Sequence, residues 1–293
     1  MIILDILRSM RPRQWTKNLV VFAALIFSMN ATDPHLLLRT TIGFLIFCAL
    51  SGWVYLLNDW HDREKDRLHP RKRERPIASG RLTPAAVFVT LVVLLSGGLG
   101  TAWWLGLDFF VVAAAFVTLN ALYSFYLRSK VLLDVIAIGG SFVLRALAGA
   151  EVLVVSGHEG IRISPWLLLC TFFLSLFLGL GKRRHELRTV SAEHRTSLRS
   201  YSVELVDRLT TVTVAVTVLS YSLYTIWPET VENFGTENLV FTVPFVFYGL
   251  GRYLYLVHEA DKGGDPSEML LTDRSIAGTV LLWIATVAWI VYS

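Results

Sequence analysis

Long apolar blocks alternate with short charged ones along this chain. Blocks of about 18 to 22 residues fall near 16–32, 36–57, 84–105, 107–127, 131–154, 164–181, 208–227, 238–257 and 275–292. A bilayer core about 30 Å thick takes about 20 helical residues to cross, so each block predicts a transmembrane helix. The first block is the weakest, since Lys17 and Asn18 stand at its start. The predicted fold is all-α and integral to the membrane, with nine transmembrane helices in a single domain over 1–293.

Composition agrees with the pattern. Of 293 residues, 54% are hydrophobic and 17% charged, against about 25% charged in soluble domains. Mean hydropathy is +0.55. Cys48 and Cys170 each lie inside an apolar stretch and are expected to be buried small hydrophobes, with no disulfide or metal framework implied. Charged residues run through the opening stretch to Lys17 without an A-x-A-like site, so the first span is expected to be retained.

Charge predicts the orientation. Arg8, Arg11, Arg13 and Lys17 precede the first span. Arg63, Lys65, Arg67, Arg71, Lys72, Arg73, Arg75 and Arg81 fill the loop after the second, and Arg128 and Lys130 the turn after the fourth. Lys182, Arg183, Arg184, Arg188, Arg195, Arg199 and Arg208 fill or border the loop after the sixth. The opposite segments hold little beyond Arg39 and Arg162, and 228–238 is acidic. The positive-inside rule then puts the N-terminus and every basic loop in the cytoplasm. The expected location is the cytoplasmic (inner) membrane, with the active site facing the cytoplasm.

Topology and anionic headgroups account for clustered Lys and Arg, but not for carboxylates mixed among them. The second span runs into Asn58-Asp59-Trp60-His61-Asp62-Arg63-Glu64-Lys65-Asp66. If the helix continues, Asp62, Asp66 and Asp59 lie at about 40°, 80° and 100° from Asn58. Four oxygen-bearing side chains would then share roughly a quarter of the circumference. Mg²⁺ takes oxygen ligands, usually one or two carboxylates with water and substrate phosphate. Packed carboxylates without a cation would repel one another. Asn58, Asp62 and Asp66 are therefore the candidate metal ligands, with Asp59 beside them as a further candidate catalytic residue. Arg71, Lys72, Arg73 and Arg75 offer countercharge to phosphates. The motif predicts a Mg²⁺-diphosphate site.

These motifs resemble the UbiA superfamily of membrane prenyltransferases, through N-D-x-x-D-x-x-x-D after the second span and Arg75-Pro76-Ile77-Ala78-Ser79-Gly80 behind it. Other stretches resemble its decaprenyl-phosphate phosphoribosyltransferase branch: Arg11-Pro12-Arg13-Gln14-Trp15-Thr16-Lys17-Asn18, Tyr55-Leu56-Leu57-Asn58-Asp59 and His69-Pro70-x-Lys72-Arg73. Leu144-Arg145-Ala146-x-Ala148-Gly149, Gly181-Lys182-Arg183-x-x-Glu186-Leu187 and Ser197-Leu198-x-Ser200-Tyr201 continue the likeness over nearly the whole chain. The resemblance implies a UbiA-type bundle around a central cavity. After span four, where a second Asp cluster would mark an aromatic-prenylating member, the chain has Tyr123-Ser124-x-x-x-Arg128-x-Lys130-x-x-x-Asp134, with a single Asp.

Arg145 lies near the middle of span five, where an unpaired charge costs roughly 2.5–3.5 kcal/mol. Pairing with Glu151 is one reading; binding phosphate from a water-filled cavity is the favoured one. Asp134 is expected about 20° away on the same helix face, some 16 Å along the axis. Lys182 and Glu186, spaced i,i+4, read either as a surface pair or as second-half counterparts of the first motif. Asp261, Asp265, Glu268, Asp273 and Arg274 read as a solvated loop, and His61, His69, His185 and His194 lack metal-ligand spacing.

The resemblance implies transfer of 5-phosphoribose from phosphoribosyl diphosphate to a polyprenyl phosphate, with Mg²⁺ as cofactor. Lys17, Tyr55, Lys72, Lys130, Asp134, Arg145, Lys182 and Glu186 would line the donor site. The alternative within the superfamily is prenylation of an aromatic acceptor by a prenyl diphosphate; the first motif serves both. The expected partners are the two substrates and the membrane, with no nucleic acid; a homo-oligomer is left open.

Overall fold

The computed structural model describes residues 2–156, 164–189, 201–258, 269 and 272–292. Arg162, His194, Arg195, Ser197, Leu198, Arg199, Ser200, Asp261, Asp265 and Glu268 lie outside the described residues.

Every regular element among the described residues is helical. Helix α1 spans Ile2–Ser9, followed by a 3₁₀ segment over Pro12–Phe22 and by α2, Ala23–Phe27. Next come α3 Pro34–His61, α4 Arg63–Leu68, α5 Pro84–Leu105, α6 Leu107–Phe125, α7 Leu133–Val155 and α8 Pro165–Thr189. The chain continues with α9 Val203–Ile226, α10 Pro228–Phe234, α11 Val243–His258 and α12 Arg274–Tyr292. Eight described stretches are long and apolar enough to cross a membrane: α3, α5, α6, α7, α8, α9, α11 with the 3₁₀ turn before it, and α12. They match the second to ninth predicted spans.

Their starts are chemically marked. Asp33 accepts from His35 N at 2.8 Å and Leu36 N at 3.2 Å, with Pro34 as the first residue of α3. Thr83 accepts from Ala86 N at 3.2 Å ahead of Pro84 on α5. Ser202 accepts from Leu205 N at 3.1 Å at the head of α9. Each side-chain oxygen satisfies an amide that the helix itself leaves unpaired.

The first predicted span differs. Instead of one α-helix over 16–32, the chain winds as the 3₁₀ segment and the short α2. Helix α2 ends where Met29 takes φ 59°. Met29 N bonds Ile26 O at 3.2 Å and Asn30 N bonds Leu25 O at 3.3 Å, a Schellman-type stop made without glycine. The longer 3₁₀ rise gives the two pieces a combined length of about 30 Å.

The described chain forms two compact units. One holds Met1–Phe125 with Leu144–Arg162, the other Tyr126–Val143 with Ile163–Ser293, so α7 passes from the second to the first at Leu144. In the first unit α3, α5 and α6 pack around Phe47, Phe109 and Phe116, with ring centroids 5.9 Å apart for Phe47–Phe109 and 5.0 Å for Phe47–Phe116. The 3₁₀ segment enters this core through Val21. There α7 approaches so closely that a Cβ at Gly149 would collide with the Val21 carbonyl oxygen, so glycine is required. The second unit packs α8, α11 and α12 around Phe177, Leu250, Tyr253 and Ile276. Cys48 and Cys170 are buried free thiols, as expected.

Candidate active site

The acidic motif rides on the end of α3. The helix reaches His61, Asp62 turns at φ −91° and ψ 4°, and α4 follows. Asp62 N bonds Asn58 O and Asp66 N bonds Asp62 O, both at 2.9 Å, so helical spacing persists through the motif. The four oxygen-bearing side chains do not share one environment, however. Asp59 and Asp66 are buried, whereas Asn58 and Asp62 are partly exposed.

Arginines make the difference. Arg11 Nη2 reaches Asp59 Oδ1 at 2.5 Å. Arg75 Nη1 bridges Asp59 Oδ1 at 3.1 Å and Asp66 Oδ2 at 2.7 Å. Arg11 is itself in the left-handed region, φ 53°, heading the 3₁₀ segment, and its guanidinium lies over the Tyr55 ring at 5.0 Å. Arg75 precedes the turn Pro76–Gly80, where Gly80 takes φ 77° and Gly80 N bonds Ile77 O at 3.2 Å. The carboxylate repulsion expected from sequence is thus relieved at Asp59 and Asp66 by bonded guanidinium groups. Among the described residues no group of three or more His, Cys, Asp or Glu side chains is arranged to hold a metal.

A second polar cluster of the same unit lies deeper. Arg145, 6% exposed, donates from Nε to Asn18 Oδ1 at 2.7 Å and stacks over Phe116 at 4.6 Å. Asn18 is fully buried, also accepting from Ser51 Oγ at 3.3 Å and donating to Cys48 Sγ at 3.4 Å. Tyr55 lies within electrostatic reach of Arg145. Tyr55, Arg11, Asp59 and Arg75 make one run of contacts at the end of α3, and Arg145 with Asn18 makes another in the same unit. Lys17, partly exposed, is next to Asn18 in the chain, and Lys72 is exposed at the 3₁₀ turn Lys72–Glu74.

The remaining predicted residues belong to the second unit. Asp134 is fully buried, and both of its oxygens are engaged. Oδ2 accepts from Arg183 Nε at 2.9 Å; Oδ1 accepts from the Tyr201 hydroxyl at 2.7 Å and from Val135 N at 2.9 Å. Arg183 Nη1 also reaches Glu186 Oε2 at 2.6 Å, one turn along α8. The Tyr201 hydroxyl accepts from Leu132 N at 2.8 Å, where Leu132 takes φ 67°. Burial, then the bond to Asp134, push the Tyr201 phenol pKa up, so it remains a proton donor. Lys130 and Lys182 are exposed beside this buried cluster in the chain. A further network joins Arg184 Nε to Asp207 Oδ1 at 2.7 Å and Asp207 Oδ1 to His258 Nε2 at 3.1 Å.

Arg183 and Tyr201 were missed as partners of Asp134, since Arg183 reads as one more topology charge in a basic run. Asn18 was placed at the mouth of a span; its partner Arg145 lies 127 residues on, a separation that no local pattern spans.

Every regular element among the described residues is helical, and acidic and basic groups gather at the end of an apolar helix long enough to cross a membrane. The sequence pattern of the UbiA prenyltransferase family matches residues 19–274, and the chain belongs to that family. It is 30% identical to a decaprenyl-phosphate phosphoribosyltransferase of Mycolicibacterium smegmatis, covering 98% of this chain and 92% of that protein. It is 31% identical to one of Corynebacterium glutamicum, covering 98% and 86%. A UbiA homologue from Archaeoglobus fulgidus, solved with GPP and Mg²⁺, shares the fold at TM-score 0.72 and 19% identity, over 99% of this chain and all of that one.

Proposed function

We propose that this protein transfers 5-phosphoribose from phosphoribosyl diphosphate to a polyprenyl phosphate and releases diphosphate. The observation that carries the reading is the likeness, over almost the whole chain, to two proteins named for decaprenyl-phosphate phosphoribosyl transfer. Residues 1–293 are proposed to make up a single UbiA-like transmembrane domain, in keeping with the family match over 19–274. The 3₁₀ segment with α2 counts as a ninth crossing, and the N-terminus and basic loops lie in the cytoplasm, because the Lys and Arg residues gather there.

The residues present fit a Mg²⁺ ion shared with substrate rather than one held by protein alone. Asn58 and Asp62 offer hard oxygens one turn apart, and this ion commonly takes one or two carboxylates, water and phosphate. Asn58 and Asp62 are the proposed ligands, with Asp66, at present neutralised by Arg75, as the third. The ion would stabilise charge on the leaving diphosphate. A UbiA homologue of the same fold solved with Mg²⁺ supports this use of metal.

The rest of the chemistry belongs to the protein's own side chains. An oxygen of the lipid phosphate attacks C1 of the ribose; the bond from C1 to the diphosphate oxygen breaks, and its electron pair leaves with diphosphate. The nucleophile is already anionic, so no strong general base is needed. In the first unit Lys17, Lys72 and Arg145 are the proposed phosphate ligands, with Tyr55 beside Arg11; in the second unit Lys130 and Lys182 are proposed for the same chemistry. Asp59 holds Arg11 and Arg75, while Asp134 and Glu186 hold Arg183, so these carboxylates position cationic groups. The prenyl tail lies along apolar helix faces open to the bilayer.

Membranes containing the protein test this. EDTA is expected to abolish passage of label from phosphoribosyl diphosphate into the lipid fraction, and added Mg²⁺ to restore it. Transfer that continues at full rate in EDTA would remove the metal from the proposal.

A further inference from the structure

Helix α1 buries Asp5 and Ser9 and exposes Ile3, Leu4 and Leu7. At 100° per residue Asp5, Ile6 and Ser9 occupy one arc, and Ile3, Leu4 and Leu7 the opposite one. Asp5 and Ser9 are 5% and 2% exposed, whereas Ile3, Leu4 and Leu7 are 73%, 59% and 41% exposed. A helix bordering water does the reverse.

The inward face is specifically bonded. Asp5 Oδ1 accepts from Arg81 Nε at 3.3 Å and lies 3.6 Å from Arg8 Nη1; Ser9 Oγ donates to Asp5 O at 2.9 Å. Arg81 Nη2 also donates to Glu74 O at 2.7 Å, tying α1 to the turn that carries Lys72. The Arg81–Asp5 bond joins α1 to another segment, so its apolar arc cannot roll inward without breaking that bond. Ile6 packs against a cluster containing Leu56 and Val87. Val87 lies one turn into α5, where Phe88 and Val89 begin the exposed apolar surface of a membrane-crossing helix. Through Ile6, α1 therefore packs near the start of α5, next in the chain to the exposed apolar side chains Phe88 and Val89. Exposed Arg8 and Arg13 stand at the same end.

We propose that α1 is an in-plane membrane anchor. Ile3, Leu4 and Leu7 lie at the boundary of headgroups and acyl chains, and Arg8 and Arg13 among anionic headgroups. A short helix with one apolar arc and flanking basic residues has the chemistry for that position.

Because Cys48 and Cys170 are 2% and 9% exposed, a thiol-reactive fluorophore can be directed to an introduced cysteine. Full-length Ile3→Cys protein, labelled with an environment-sensitive probe, would be reconstituted in phosphatidylcholine–phosphatidylglycerol vesicles. Arg73→Cys, in the exposed loop, serves as the aqueous reference. Nitroxide placed high on the lipid acyl chain is expected to quench the probe at position 3 about twofold or more over the reference, with iodide quenching reduced. Equal iodide quenching at both positions, with no effect of nitroxide, would place α1 in water and overturn the anchor. Protection from both quenchers would mean that protein covers the face, and would overturn it equally. Leu7→Cys repeats the measurement on the same arc should the first variant fold poorly.

Discussion

At the scale of single residues, burial and partners divide carboxylates that sequence spacing had grouped. Asp62 is partly exposed, one turn from Asn58, whereas Asp59 is buried against Arg11 and Arg75. Asp62→Asn should therefore lower transfer about 100-fold or more while the protein accumulates normally in the membrane. Full activity in that variant would end the metal assignment. Asp59→Asn should act on stability first, lowering the thermal midpoint in detergent by the equivalent of about 1–2 kcal/mol, since its arginines are about a third exposed and can rehydrate. An unchanged midpoint would contradict the positioning role. The oxygen-bearing side chains were legible because i,i+4 spacing on a helix is local information. Their division was not, because Arg11 lies 48 residues before Asp59, and a basic residue's partner leaves no mark on its neighbours.

At the scale of elements, the Asp134 cluster links the start of α7, the end of α8 and the segment before α9. Removing Asp134's charge takes from Arg183, only 2% exposed by side chain, the fully buried one of its two carboxylates, Glu186 being the other. Asp134→Asn is expected to cost about 3–5 kcal/mol, measured as a lowered unfolding midpoint in detergent. A loss under about 1 kcal/mol would show that Arg183 is better solvated than its burial implies. Tyr201→Phe keeps the ring but removes the hydroxyl shared by Asp134 and Leu132 N, and should cost about 1–3 kcal/mol. The eight long helices α3, α5 to α9, α11 and α12 could be read from apolar length, with Asp33, Thr83 and Ser202 marking three of the starts. The 3₁₀ winding of Pro12–Phe22 could not. The stop of α2 that follows, at Met29, has no Gly or Asn in the left-handed position, the usual sequence mark of such an end.

At the scale of the whole molecule, hydropathy identified the membrane chain and the acidic motif identified the family, since both depend on residues close together in sequence. The substrate is a question of another kind. Diphosphate chemistry is common to prenyl and phosphoribosyl donors, so the choice rests on the chain's relatives and on the cationic groups around the motif. One measurement decides it most directly: product analysis of membranes containing the protein, supplied with Mg²⁺ and either donor pair. With phosphoribosyl diphosphate and polyprenyl phosphate, mass spectrometry should find the lipid phosphate joined to 5-phosphoribose, and labelled ribose should partition with the lipid. Absence of that product, together with prenylated 4-hydroxybenzoate formed from a prenyl diphosphate, would contradict the proposed reaction.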